Sequence, residues 1–450
     1  MTHIEITPDF LSDVKELIAK GDNRALSLLF EEMHHADLAE VLDDLNFDDA
    51  VFIIRLLDTE KTADILTELD EDTREKILQE LSSKEIAKEI GELDSDDAAD
   101  IIGELPEEQK NEVISQIEDV EHAKDIVDLL RYDEDTAGGL MGKELIKVNE
   151  NWANLRCVKE MRKQAEDYDK VHTIYVVDDN DVLKGRLSLK SLLTTSTKTP
   201  VKDVYNPKIT FVRADENDED VAKTMQKYDL FVVPVVDEMN RLIGQITLDD
   251  VVDVIRDEAD KDYQMAAGIT DDVEADDSIL QLTKARLPWL VLGLLGGLGA
   301  GSIMGGFEEA LKNYPNLFFF TPLIAAMAGN VGVQSSAIMV QGLANNNIKG
   351  SVVSRLLKEV GLTLLNGLAL ALLVTIYGFF QIENSTITFV IALALMIVIT
   401  IAAVIGTFIP ILLDRNGIDP ALATGPFITT SNDIFGILIY FMIAKFMLGF

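Results

Sequence analysis

A single cysteine, Cys157, among 450 residues excludes an intramolecular disulfide and fits a soluble part kept in a reducing compartment. Positive charge is also scarce: 39 Lys and Arg stand against 78 Asp and Glu, a formal charge of −39. A polyanionic surface repels phosphate, so nucleic acid is not expected as a partner and small cations are. No G-x-x-x-x-G-K-[ST] phosphate loop occurs, which argues against an ATP-driven pump. Nor does a nucleophile, base and orienting group stand out, so an enzyme is not expected. The start, MTHIEITPDFLSDVKEL, is amphipathic and acidic rather than basic and then apolar, and no cleavable signal peptide is expected. Yet overall hydropathy is positive, so charge and apolar surface must be segregated. The residues from Ala285 onward carry seven bases and seven acids, and the first 284, with 71 acids and 32 bases, hold the whole imbalance.

The neutral part contains apolar runs long enough to cross a bilayer, at about 287–306, 317–343, 356–380, 386–413 and 425–448. Five crossings put the termini on opposite sides. Lys284, Arg286, Lys349, Arg355, Lys358 and Arg415 would share one side and leave Lys312 and Lys445 on the other, which makes the large N-terminal portion cytoplasmic and the C-terminus external in a cell membrane. In the first run Gly293, Gly297, Gly301 and Gly305 form a ridge that permits close helix approach. Ionisable groups in such runs are functional candidates. Asp433 lies near the middle of the last run, with Thr429 one turn before it and Asn432 beside it. Asn330, Gln334 and Gln341 make a polar stripe in the second run, and Glu359, Thr363 and Asn366 one in the third. Oxygen donors around one carboxylate, without thiol or imidazole, suit Mg²⁺ or Ca²⁺, and few carboxylates would hold a hydrated Mg²⁺ loosely enough to let it move. For the amides and threonines, interhelical hydrogen bonding is the competing role.

The acidic part opens with a repeat. Leucine or isoleucine recurs every 12 residues at 45, 57, 69, 81, 93, 105, 117 and 129, which predicts short helices stacked as an array that offers a binding or scaffold surface. Farther on, HTIYVVDDNDVLKGRLSLKSLL and LFVVPVVDEMNRLIGQITLDDVV align at a constant offset of 59, with Asp178 on Asp237, Gly185 on Gly244 and Ser188 on Thr247. Each copy reads strand, turn, strand, helix. Acids cluster at Asp94, Asp96, Asp97 and Asp100, at Asp215, Glu216, Asp218 and Glu219, and along Asp249, Asp250, Asp253, Asp257, Glu258 and Asp260. Such runs are ordinarily solvated faces. Three of them in one chain would repel when bare and draw together around a bridging divalent cation.

The duplicated units resemble cystathionine-β-synthase (CBS) domains, on Gly244-Gln245-Ile246-Thr247-Leu248-Asp249-Asp250. The resemblance implies that Thr247 and Asp250 contact the ribose of an adenine nucleotide such as ATP, with Pro234 against the base. In the first copy Ser191 stands where the Asp belongs, which weakens a second site, and a CBS pair without ligand remains the alternative.

The order of parts closely resembles the MgtE family of magnesium transporters over nearly the whole chain, on TAGGLM at 136–141, KARLPWL at 284–290, GNVGVQS at 329–335 and DPALATGPFITTSND at 419–433. The resemblance implies a multidomain membrane protein: an all-α helical-repeat N domain at 1–130, an α/β tandem CBS pair at 131–262, a connecting (plug) helix at 263–286, and an all-α five-helix transmembrane domain at 287–450. It implies a homodimeric, Mg²⁺-selective, channel-like protein in which Asp433 holds hydrated Mg²⁺ and intracellular Mg²⁺ closes the pore. Asp94, Asp97, Asp100, Glu216, Asp250, Asp253, Asp257 and Glu258 are the regulatory candidates, and release of residues 276–286 is the expected opening step. Two alternatives stay open: a proton-coupled secondary transporter using Asp433 or Glu359, and a membrane-anchored sensor without transport.

Overall fold

The computed structural model describes residues 6–166, 168, 171–270, 273, 275, 277–344, 351–382, 384–423 and 425–450, so Lys349 and Asp276 fall outside it. They divide into two compact units, Met1–Ile255 and Arg256–Phe450.

The first unit begins with the array: α1 (Pro8–Lys20), α2 (Asn23–Glu31), α3 (His35–Asp43), α4 (Phe47–Ile54), α5 (Thr59–Glu68), α6 (Glu71–Glu80), α7 (Ser83–Ile90), α8 (Ser95–Glu104), α9 (Glu107–Gln116) and α10 (Val120–Leu129). The 12-residue period has a local cause at each end of the helix. Asn46, Asp58 and Ser82, themselves multiples of 12 apart, accept backbone N–H bonds from Asp49, Lys61 and Glu85 at 3.1, 3.0 and 3.3 Å, and so start α4, α5 and α7. Leu69, Leu81, Leu105 and Ile117 stop α5, α6, α8 and α9 in extended backbone, and their side chains are buried. The residue that breaks each helix is therefore also the one that plugs the core. Helices of this length are marginal alone, and from α3 onward they pack on the next but one: α3 on α5, α5 on α7, α7 on α9, α4 on α6 and α8 on α10.

Two three-stranded sheets follow: β1 (Ile146–Asn149), β2 (Ile174–Val177) and β3 (Leu183–Leu187), then β4 (Val212–Arg213), β5 (Val232–Val236) and β6 (Leu242–Thr247). In each, the first strand is parallel to the second and the third antiparallel to it. The 59-residue offset holds in the registers, because Ile174 pairs with Leu187 and Val176 with Gly185, while Val233 pairs with Ile246 and Val235 with Gly244. The turns match as well. Asp178 Oδ1 accepts from Asn180 N and Val182 N, as Asp237 Oδ1 accepts from Met239 N and Arg241 N. The copies join by reciprocal bonds at equivalent places, Leu183 N to Asn240 O at 3.0 Å and Leu242 N to Asp181 O at 2.9 Å. Helices α11 (Asn154–Gln164), α12 (Leu189–Thr194) and α13 (Asp218–Tyr228) complete the pair, and α14 (Leu248–Ala267) runs on from β6 across the division between the units.

The second unit holds α15 (Ile279–Gly305), α16 (Glu308–Asn313), α17 (Asn316–Phe319), α18 (Thr321–Ala344), α19 (Val352–Gln381), α20 (Ser385–Arg415) and α21 (Gly425–Leu448). Five helical segments among them are long and apolar enough to cross a membrane, with α17 and α18 counted as one. Helix α20 is the hub, packing against α18, α19 and α21, and α15 lies on α21. One expectation changes here. Residues 263–286 are not one connecting helix: α14 ends within them, and Ser278, in a reciprocal capping box with Gln281, starts the first span's helix at Ile279, eight residues before the apolar run. Among the described residues, the glycine ridge of that span stays open, with no atom within 4 Å of a Cβ at Gly293, Gly297, Gly301 or Gly305, and Thr430 of α21 seats on Gly296, one face over.

Candidate functional site: an acidic cluster, a nucleotide cleft and an intramembrane carboxylate

Within the first unit the acids of α8 converge with those at the start of α14. Asp94 stands at the N-terminal boundary of α8, which carries Asp96, Asp97 and Asp100, and the first turns of α14 carry Asp249, Asp250 and Asp253. Gly142, just past the TAGGLM segment, marks the tightest approach: a Cβ there would stand 2.9 Å from both Asp96 Oδ2 and Glu144 Oε2. Glu144 is tied to the start of α8, accepting from Ser95 N and Ser95 Oγ at 3.0 Å each. Asp250 Oδ2 accepts from Thr247 N at 3.0 Å and from Thr247 Oγ1 at 2.7 Å, which caps α14 and fixes that carboxylate.

The electrostatics are those of a site short of cations. Burial, then the Asp250, Asp100, Asp94 and Asp249 charges, push Asp97 up to about 7. Burial and Glu134 push Asp100 up to about 7 against the pull of Arg74. Asp96, Glu144 and Asp250 are raised too, each chiefly by burial. Arg74 is already engaged by Glu104. Among the described residues no group of three or more His, Cys, Asp or Glu side chains is set to hold a metal ion directly. Carboxylates that crowd without closing a cage suit a cation that keeps its waters.

Of the regulatory candidates, Asp94, Asp97, Asp100, Asp250 and Asp253 gather here. Glu216 does not: its Oε2 accepts from Arg213 N at 3.1 Å in the turn before α13. Asp257 and Glu258 lie farther along α14 in the second unit, and Glu258 accepts from Lys261 Nζ at 2.9 Å. Glu134 and Glu144 belong to the cluster and were missed; their only sequence signal is that they flank TAGGLM.

The nucleotide candidates separate. Pro234 lines a cleft between the two CBS copies with Thr173, Tyr175, Arg186, Lys208 and Thr210. Thr247 and Asp250 do not line this cleft; they bond to each other, and Asp250 stands in the acidic cluster. The cleft offers two cations and an aromatic ring, a set that suits an anionic, aromatic ligand. Arg186 and Lys208 carry no local motif; the antiparallel bridge between Arg186 and Asn206 brings them together.

In the spans, Asp433 and Thr429 pack over Gly329 of α18, where a Cβ would lie 3.7 Å from Asp433 Oδ1 and 3.2 Å from Thr429 Cγ2. Asn330 and Gln334 are exposed one residue and just over one turn beyond. Bare amides are costly against lipid, so this face requires water or a second polar surface. Asn432 corrects the grouping drawn from its neighbour. It is 1% exposed and faces inward, its Nδ2 against Gly332, and among the described residues both its amide atoms lack hydrogen-bond partners. Glu359 likewise points between helices, accepting from Ser335 Oγ at 2.6 Å.

Comparison with known proteins points one way. Residues 321–443 match the family model for a divalent cation transporter (MgtE), 33–135 that for the MgtE intracellular N domain and 201–257 that for the CBS domain. The magnesium transporter MgtE of Thermus thermophilus is 36% identical over 97% of this chain and 98% of its own length. That of Enterococcus faecalis is 37% identical over 73% of each chain. A solved structure, the cytosolic domain of the Mg²⁺ channel MgtE in complex with ATP, aligns with a TM-score of 0.50 and 35% identity, covering 54% of this chain and 99% of the other.

Proposed function

The chain belongs to the MgtE family of magnesium transporters, and from that premise we propose that it is a homodimeric, channel-like path for Mg²⁺ entering down its electrochemical gradient. The observation that carries this reading is the polar face of α18 and α21, where Asp433 and Thr429 pack beside the exposed amides of Asn330 and Gln334 in helices otherwise built for lipid. Facing its copy across a two-fold axis, that surface would line a wet passage with one carboxylate per subunit. A single carboxylate attracts hydrated Mg²⁺ without stripping it. The driving force is ample, since an inside-negative potential supplies about 2.3 kcal/mol per charge per 100 mV. The basic flanks of the spans support a cytoplasmic N-terminus and an external C-terminus.

Regulation rests on the cluster. Without metal, the carboxylates of α8, Glu144 and α14 repel; internal Mg²⁺ bridging them through its waters holds array and CBS pair together and closes the path. ATP bound in the cleft of Tyr175, Arg186 and Lys208 would stiffen the CBS pair beside that cluster, a role supported by the ATP complex of the related cytosolic domain.

The test is flux into liposomes loaded with a Mg²⁺ indicator. Wild-type protein is expected to admit Mg²⁺ at low internal concentration, driven by voltage and indifferent to a pH gradient. Asp433→Asn is expected to lower the flux at least tenfold, the scale of one lost ion–carboxylate interaction. Normal flux in that variant, or flux that collapses with the pH gradient, rejects the channel reading.

A further inference from the structure

Glu359 is an ionisable group inside a span that the proposed ion path does not use. It lies seven residues into α19, about 10 Å along the helix axis, and its Oε1 accepts from Ser335 Oγ of α18 at 2.6 Å. Ser335 is itself buried, so the bond is made between helices and out of reach of bulk water. Helices α18 and α19 both pack on α20. Toward the opposite end of the bundle they part around an apolar cleft of about 640 Å³, with Leu323 and Met327 on one wall, Leu370 and Leu373 on the other, and Leu395 of α20 also lining it. On its other faces α18 meets its neighbours through glycine. Gly406 of α20 sits against the Gly332 carbonyl, and Thr429 and Asp433 of α21 lie over Gly329. Such contacts let helices approach closely, but they present no side chain that keys the rotation of one helix to the next. A hydrogen bond does, because it weakens steeply when its donor turns away.

We propose that Glu359 is a positioning residue: through Ser335 it sets the rotation of α18 and so aims the exposed amides of Asn330 and Gln334 at the ion path. This rests on the reading of that face as the lining of a Mg²⁺ path, and it names what holds the lining in place. Ser335 follows Gln334 directly and lies about 9 Å along the axis from Gly329, beneath Asp433. Each residue turns an α-helix by about 100°, so a slip of one position would bring Val333 or Ser335 to the place where Gln334 is now exposed. Leaving a carboxylate unpaired between helices is costly, which keeps Glu359 on its donor and α18 in its register. What Glu359 supplies in this role is an acceptor rather than a charge, and a glutamine amide oxygen supplies the same acceptor.

The experiment uses the full chain in liposomes and measures Mg²⁺ entry against external Mg²⁺, which gives a maximal flux and a half-saturating concentration. Glu359→Ala and Ser335→Ala are each expected to raise the half-saturating concentration about tenfold, the scale of one hydrogen bond to a charged group. A variant that merely folds in lower yield loses maximal flux at an unchanged half-saturating concentration. The double variant should be no worse than either single one, since both remove the same bond, and Glu359→Gln should stay within about twofold of wild type because it keeps the acceptor. Thr375→Ala is the control: that hydroxyl donates to Ala371 O of its own helix at 2.7 Å, and its loss should change neither quantity. Impairment of Glu359→Gln equal to that of Glu359→Ala would make Glu359 a charge that the ion or a proton uses, and wild-type behaviour of Ser335→Ala would remove the partner; either result overturns the proposal. A second readout needs no transport. In a Cys157→Ser background, which removes the chain's one cysteine, a Gln334→Cys thiol should react with a water-soluble reagent about tenfold more slowly once Glu359→Ala is added, and at its original rate with Glu359→Gln. A wild-type protein that admits no Mg²⁺ rejects the ion path. Slowed reactivity would then uphold the positioning without the path, and unchanged reactivity would reject the positioning as well.

Discussion

Glu89 on α7 shows what a single residue contributes to the pH response of the array. Its Oε2 is buried without a hydrogen-bond partner among the described residues, and burial, opposed by Lys88 and seconded by Glu92, Asp58 and Glu85, pushes it up to about 7. A free glutamate titrates near 4.3, so the folded array holds this proton more tightly than the unfolded chain. Its contribution to stability is therefore full below about pH 4.3, is lost as pH rises toward 7, and becomes a constant cost above. Glu89→Gln is expected to stabilise the array at pH 8 by about 1–2 kcal/mol, allowing for solvent screening, and by much less at pH 5. Hydrogen exchange in α7, with wild type and variant compared at the same pH, reads this directly; an equal gain at both pH values would mean that something other than ionisation was changed. Residue roles were unevenly legible in the sequence. Asp433 announced itself as a lone acid in an apolar run, but Asn432, grouped with it by adjacency, turns the other way because each helical step rotates the side chain by about 100°. Glu359 stood out for the same reason as Asp433 and proves to be occupied by Ser335.

Elements were more legible than residues, because both repeats write their period into the chain. The 12-residue spacing located the array, and the structure adds why it works: the periodic leucine both ends one helix and fills the core. Leu105, at the end of α8, is 7% exposed and packs in the same core as Leu93 and Ile117. Leu105→Ala is expected to cost about 2–4 kcal/mol, the usual range for such a truncation with partial collapse, and to lower the array's thermal midpoint by several degrees. A cost under about 0.5 kcal/mol would place the side chain outside the load of the core. The 59-residue offset was legible to the level of register, since hydrogen-bonded partners on β2–β3 and β5–β6 differ by that number. The start of the first span was not, because a polar capping box at Ser278 extends α15 well beyond its apolar stretch. Local capping sets a helix boundary; hydropathy sets only the part that lipid will cover.

At the scale of the molecule the charge imbalance becomes mechanism. Composition located the −39 in the first 284 residues, and three acidic stretches were visible, yet which of them meet depends on the array folding back against the second CBS copy, information that no local window holds. The structure joins α8 to the start of α14 and leaves Glu216 aside. It also brings in Glu144 through its bonds to Ser95. If repulsion among these carboxylates opposes closure, then removing charge should imitate the metal. Asp97→Asn with Asp100→Asn deletes two charges from groups that burial and neighbouring acids already drive toward neutrality. In the absence of Mg²⁺ the double variant should resist proteolysis between the array and the CBS pair about tenfold longer than wild type, a shift of about 1.4 kcal/mol in the open–closed balance. Added Mg²⁺ should then gain it less further protection than it gains the wild type. High monovalent salt should move the wild type part of the way in the same direction by screening. Faster cleavage of the metal-free variant than of the wild type would show that these two carboxylates hold the surfaces together rather than apart, and would reverse the sign of the proposed control.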